Sequence, residues 1–122
     1  MTTPDLEKIL SLYFVTQDGQ REYKSWALKH NDLPRVPRAE CFIINHFMRA
    51  WGHRFIYDEA TLTNSLLQAG FVNVRRFEPG DSDDPNLSGI ERHGLWIGER
   101  ANRFETMVLQ AEKPCGVALT KD

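Results

Sequence analysis

The sequence predicts an α+β fold, with about four helices packed on an antiparallel two-strand hairpin. Three observations carry that prediction. Apolar residues recur at helical spacing from Leu6 to Phe14 and again from Phe42 to Trp51. Asp58 and Gly70 bracket a further helical pattern with start and stop signals. Two runs rich in β-branched and aromatic residues, Phe71–Phe77 and Phe104–Ala111, come last in the chain. Strands consecutive in sequence usually lie side by side, so these two are expected to pair.

A chain of 122 residues supports one modest core. Residues 1–114 read as a single domain and 115–122 as a flexible tail. With 41% apolar and 26% charged residues the composition is that of an ordinary globular protein. A net charge of −2 gives no reason to expect nucleic acid, and Arg35, Arg38, Arg75 and Arg76 read as solvated surface. Cys41 and Cys115 show no CxxC or Cys/His ligand spacing, and reduced thiols fit better than a disulfide between them. The start MTTPDLEK lacks a basic segment followed by an apolar one, and CFII is too short to span a bilayer. A cytoplasmic protein without membrane association is expected.

Taken in order, Thr2 or Thr3 with Pro4, Asp5 and Glu7 predicts a capped helix start. Leu6, Ile9, Leu10, Tyr13 and Phe14 then share one helical face. Gln17-Asp18-Gly19 is a break, and a second helix is expected over Arg21–Lys29, with Tyr23, Trp26 and Ala27 on its apolar side. The two prolines of HNDLPRVPR mark a loop. A third helix runs to Ala50, with Phe42, Ile43, His46, Phe47, Ala50 and Trp51 on a broad face and Asn45 and Arg49 pointing elsewhere; Cys41 lies in its apolar run and is expected to be buried. Gly52 stops it. His53–Tyr57 is extended, Asp58 caps the fourth helix, and Leu62, Leu66, Leu67 and Ala69 supply its buried stripe. Between the strands, Glu78 to about Arg103 is rich in Gly, Pro and acids and reads as a long functional loop or a partly disordered one.

Most familiar chemistry is missing. The four histidines show no HxxxH or HExxH spacing, so no metal site is expected. The acidic run at Asp81–Asn86 has Asn86 where a calcium loop needs glycine, and Arg92 where it needs glutamate. No GxSxG, GxGxxG or GxxxxGK[ST] occurs. The remaining candidate is a substrate-binding cluster of Asn45, Arg49, His53 and Tyr57 at a helix end and the following turn. The other reading of the same residues is a solvated Arg49, a turn His53 and a half-buried Tyr57.

Three segments carry a family resemblance: TPDLEKILSLY, INHFMRAWGHRFIYDEATLTNSLLQAGFVNVRRFEPGDSD and RFETMVLQAEKP. Together they resemble the C-terminal part of class I S-adenosylmethionine-dependent methyltransferases, in particular the bacterial predicted methyltransferase group. The resemblance implies an α/β, Rossmann-like parent fold with a seven-stranded sheet. Its last two strands form an antiparallel hairpin, here Phe71–Phe77 with Phe104–Ala111. The TPDLEK helix would follow the fifth strand, and that strand and the four before it are expected upstream of Met1. The region Ala39–Tyr57 corresponds to an insertion on the acceptor-substrate side. In the family the cofactor sits on a glycine-rich loop after the first strand and an acid after the second. This sequence has neither, so no cofactor-binding residue carries over. The chain alone is expected to be inactive and to bind no cofactor, with S-adenosylmethionine entering only if a complementary N-terminal half is supplied. Two strands alone would leave open edges, so a homodimer or a separate cofactor-binding subunit is expected to complete the sheet, through strands or apolar helix faces. A non-enzymatic oligomerisation or partner-binding module derived from the same fold is the alternative, and a small-ligand binder using Arg49 and His53 a third.

Overall fold

A computed structural model describes residues 1–114; the expected tail at 115–122, with Cys115, lies outside them. The first residues depart from expectation. Thr2–Pro4 form a strand, β1, and the helix behind them, α1, covers Leu6–Phe14. Its cap is Asp5, whose carboxylate accepts from the backbone N–H groups of Glu7 and Lys8 at 3.1 and 3.4 Å. Pro4 sits in the strand without cost for a geometric reason. Met1 bonds to Leu109 of the neighbouring strand, and the Asp5 N–H donates to the carbonyl of Glu105, the residue just before that strand. By the alternation of an antiparallel ladder, Pro4 therefore turns its missing N–H outward.

Helix α2 spans Asp18–His30 and buries Tyr23 and Ala27, with Trp26 beside them, so the expected break shortens to the residues before Asp18. Helix α3 spans Glu40–Arg49 and buries Ile43 and Phe47; Cys41 is exposed, not buried. Helix α4, Glu59–Gln68, starts where predicted. Asp58 accepts from the Thr61 N–H at 2.7 Å, and Gly70 closes the other end at φ 98°. Leu62 is its buried residue, whereas Leu67 is half exposed.

Strand β2, Val72–Phe77, pairs antiparallel with β3, Thr106–Glu112, as the sequence predicts. The sheet has a third strand, because β1 pairs antiparallel with the other side of β3, giving the order β1-β3-β2. The two-strand hairpin is thus a three-stranded sheet with β3 at its centre. The stretch between β2 and β3 is also more ordered than expected. It contains two short helices, α5 at Gly94–Ile97 and α6 at Glu99–Glu105, so Phe104 is helical and β3 begins at Thr106.

These elements build two cores. Ile9, Leu12, Tyr23, Ala27, Ile43, Phe47 and Ala101 join α1, α2, α3 and α6. Met107 and Leu109, alternate residues on one face of β3, pack on Leu62 of α4. Between the cores, Asp5 holds three elements together. Its second oxygen pairs with Arg76 of β2 at 2.7 Å, and Arg76 also reaches Glu59 at the start of α4 at 3.2 Å. Burial works against the Arg76 charge, but the two carboxylates outweigh it and raise its pKa. Among the described residues no helix is long and apolar enough to cross a membrane.

Candidate functional site

The α3 helix ends at Arg49, and the chain then makes a tight turn from Ala50 to His53. Trp51 and Gly52 both have positive φ, 57° and 74°, and the His53 N–H donates to the Ala50 carbonyl at 3.2 Å. This is a type I′ turn, whose first central position favours Asn, Asp or Gly. A tryptophan there carries a backbone cost of about 1–3 kcal/mol. Four non-glycine residues among those described have positive φ. Asp32 and Asn73 are of the type that tolerates it; Arg38 and Trp51 are not.

Trp51 is held by neighbouring rings. The His46, Phe47 and His53 rings lie 5.1, 6.4 and 5.7 Å from it, inclined at 85°, 79° and 61°. Trp51 nevertheless stays 65% exposed, so these edge contacts leave much of the indole open to solvent. His53 is fixed in turn by a 2.7 Å hydrogen bond between its Nδ1 and the Phe47 carbonyl. A carbonyl only accepts, so Nδ1 carries the proton, and in the neutral ring Nε2 is left as an acceptor. The His46 Nε2 is buried with no hydrogen-bond partner.

The four residues of the predicted cluster are distributed unevenly around this corner. Arg49 and His53 flank the turn, Arg49 exposed and His53 half buried. Asn45 is exposed, with its amide donating to the Cys41 carbonyl one turn back at 2.9 Å. Tyr57 packs on the sheet core with Leu62, and its ring meets Phe55 at 4.6 Å. Its backbone carbonyl accepts from the Leu6 N–H. Two concavities of the described residues are lined by none of the four. One is a pocket of about 240 Å³ between β3 and residues 80–91; the other is an open groove of about 1300 Å³ beside α2 and α6.

Behind the groove lies a polar cluster that periodicity gave no reason to expect. The Tyr23 hydroxyl donates to Glu105, and the His93 Nε2 stands 3.5 Å from the same carboxyl. Burial raises the Glu105 pKa, a shift that Tyr23, His93 and His30 oppose without cancelling. Burial and the Glu105 carboxylate likewise push the Tyr23 hydroxyl up, so it remains a donor. Asn102, almost fully buried, donates to Glu91 at 2.9 Å and accepts from the Thr106 hydroxyl at 2.7 Å. These bonds fasten the β2–β3 connection to α6. They satisfy buried polar groups and leave none aimed at a ligand.

Among the described residues no group of three or more His, Cys, Asp or Glu side chains could hold a metal ion. Comparison with protein-family models, curated proteins and solved structures finds no match to this chain.

Proposed function

We propose that this chain is the acceptor-side part of a methyltransferase-type fold, inactive by itself and dependent on a separate cofactor-binding part. One observation carries the reading. A strand, β1, runs directly into α1, while the β2–β3 hairpin folds back so that β3 lies against it. The strand before this helix was expected upstream of Met1; β1, which takes in the Thr-Pro of TPDLEK, stands at that point of the strand–helix–hairpin order instead and supports the reading. The far edge of β1 has no partner among the described residues. There Thr2 turns both its N–H and its carbonyl outward, an edge that a further strand can use.

The residues present do not fit S-adenosylmethionine. The only acid at the end of β1 is Asp5, and both its oxygens are engaged, one capping α1 and one on Arg76. No glycine lies between β1 and α1. No methyl-transfer step is therefore assigned to this chain, and the cofactor site belongs to the partner.

The test is to titrate S-adenosylmethionine into this chain co-purified with the polypeptide encoded immediately upstream. The reading predicts saturable binding by the pair and a protected Thr2 amide. Failure of the pair to bind, with both components folded, contradicts it.

The exposure of Phe14 and Trp96 (83% each) and of Leu95 (75%) favours a second reading, a partner-binding or self-associating module without enzymatic activity. The apolar side chains of α1 cover an arc of about 200° at 3.6 residues per turn, yet only Ile9 and Leu12 are buried. Sedimentation at micromolar concentration separates this case. A dimer without cofactor binding favours it, and a stable folded monomer counts against it.

A further inference from the structure

We propose that the Ala50–His53 turn presents Trp51 as a stacking platform for a planar aromatic group bearing an anionic substituent, with Arg49 receiving the anion. The inference names a ligand class for the acceptor side of the fold and rests on that reading only for calling the ligand an acceptor. The platform itself stands on three observations.

The first is strain. Trp51 occupies a left-handed position that Asn or Gly would take without cost, so the turn by itself does not call for an indole there. The second is exposure combined with rigidity. Three rings meet Trp51 at steep angles, holding it while much of the indole remains open. A flat ring stacks on such a surface with little ordering cost.

The third is charge. Residues 41–57 contain Arg49, Arg54, His46 and His53 and no Asp or Glu, in a chain with 17 acids among 122 residues. Arg49 is exposed and makes no ion pair among the described residues. The α3 C-terminus opposes an anion with a partial charge of about half a unit, less than the full charge of the guanidinium.

Exposed tryptophans alone do not make such a site, and the chain contains its own control. Trp96 is 83% exposed but has no ring contact among the described residues. Nonspecific stacking would therefore favour Trp96 over Trp51.

The experiment is an NMR titration of the indole N–H signals of the full chain with 4-hydroxybenzoate, in the absence of any cofactor. Cyclohexanecarboxylate serves as the non-planar control. We expect saturable shifts at Trp51 with little change at Trp96, weakened about tenfold by Arg49→Ala. The Trp51→Asn variant relieves the turn strain while giving up the ring contacts, so it should still fold, and should lose the binding. Equal shifts at Trp51 and Trp96, equal response to cyclohexanecarboxylate, or unchanged binding by folded Trp51→Asn overturns the proposal. None of these outcomes touches the partner-dependence reading, which stands or falls on S-adenosylmethionine alone.

Discussion

Replacing Asp5 by alanine should destabilise the chain more than any other single change at its surface-proximal charges. Asp5 is 2% exposed, caps α1 through two backbone N–H groups and pairs with Arg76 at 2.7 Å. Loss of an N-cap costs about 1 kcal/mol. Stranding the partner of a buried ion pair costs roughly 3–5 kcal/mol, but the Arg76 side chain is 33% exposed and keeps Glu59, which brings that part down to about 1–2 kcal/mol. The sum is about 2–3 kcal/mol. With an unfolding entropy near 2.1 cal/mol/K per residue, a chain of 122 residues should lose about 8–12 °C in Tm. Circular dichroism melts at pH 7 read this directly. Asp5→Asn keeps an acceptor for the cap and should fall between the two. Adding Arg76→Met to Asp5→Ala should cost little more, since the pair is already broken. A Tm within about 3 °C of the parent for Asp5→Ala, or full additivity with Arg76→Met, would refute the assignment of Asp5 as the joint between α1, β2 and α4.

Further expectations concern pH and the sheet edge. Burial holds the Glu105 pKa above its unfolded value, so the stability it contributes is present in acid and lost as pH rises through its folded pKa. Glu105→Gln, which can still accept from Tyr23, should therefore be more stable than the parent at pH 7.5 and lose that advantage near pH 4. Equal or lower stability of the variant at pH 7.5 contradicts this. Asp58 has the opposite sign: hydrogen bonding by the Thr61 side chain and then its N–H holds its pKa below the usual carboxylate range. Its cap is fully present above the unfolded pKa and lost as pH falls through the folded one, so Asp58→Ala should lower Tm at pH 7 and match the parent in strong acid. Pro4→Val should leave Tm nearly unchanged, because the Pro4 nitrogen faces away from β3, but should increase self-association by adding an outward N–H. Light scattering of the two proteins at equal concentration measures it.

Where structure depends on neighbours in sequence, the residues read correctly. Asp58, Leu62 and Gly70 define α4 by local capping and spacing, and the β-branched run into Phe77 defines β2. Strand β1 was not legible, because Thr2–Pro4 is three residues long, contains a proline and finds its partner more than a hundred positions away at Thr106–Val108. Helix α6 escaped because its buried residues are Ala101 and Asn102, a polar side chain satisfied by Glu91 and Thr106, which apolar periodicity does not register. On α1 the face read from spacing was Leu6, Ile9, Leu10, Tyr13 and Phe14, whereas the buried pair is Ile9 and Leu12, and Phe14 is largely exposed. At the candidate site Arg49 and His53 were legible from residue type at a helix end, whereas Tyr57 belongs to the sheet core. Trp51 was read as part of an apolar stripe. The signals that could have singled it out were the Trp-Gly pair, an unusual occupant of a type I′ turn, and the acid-free run around it.

The proposed dependence of this chain on a cofactor-binding partner is tested most directly by equilibrium dialysis of the isolated protein against labelled S-adenosylmethionine. With the glycine-rich loop missing from the sequence and both Asp5 oxygens engaged, the account predicts no saturable retention up to millimolar cofactor. Saturable retention in the micromolar range by the folded chain alone would contradict it.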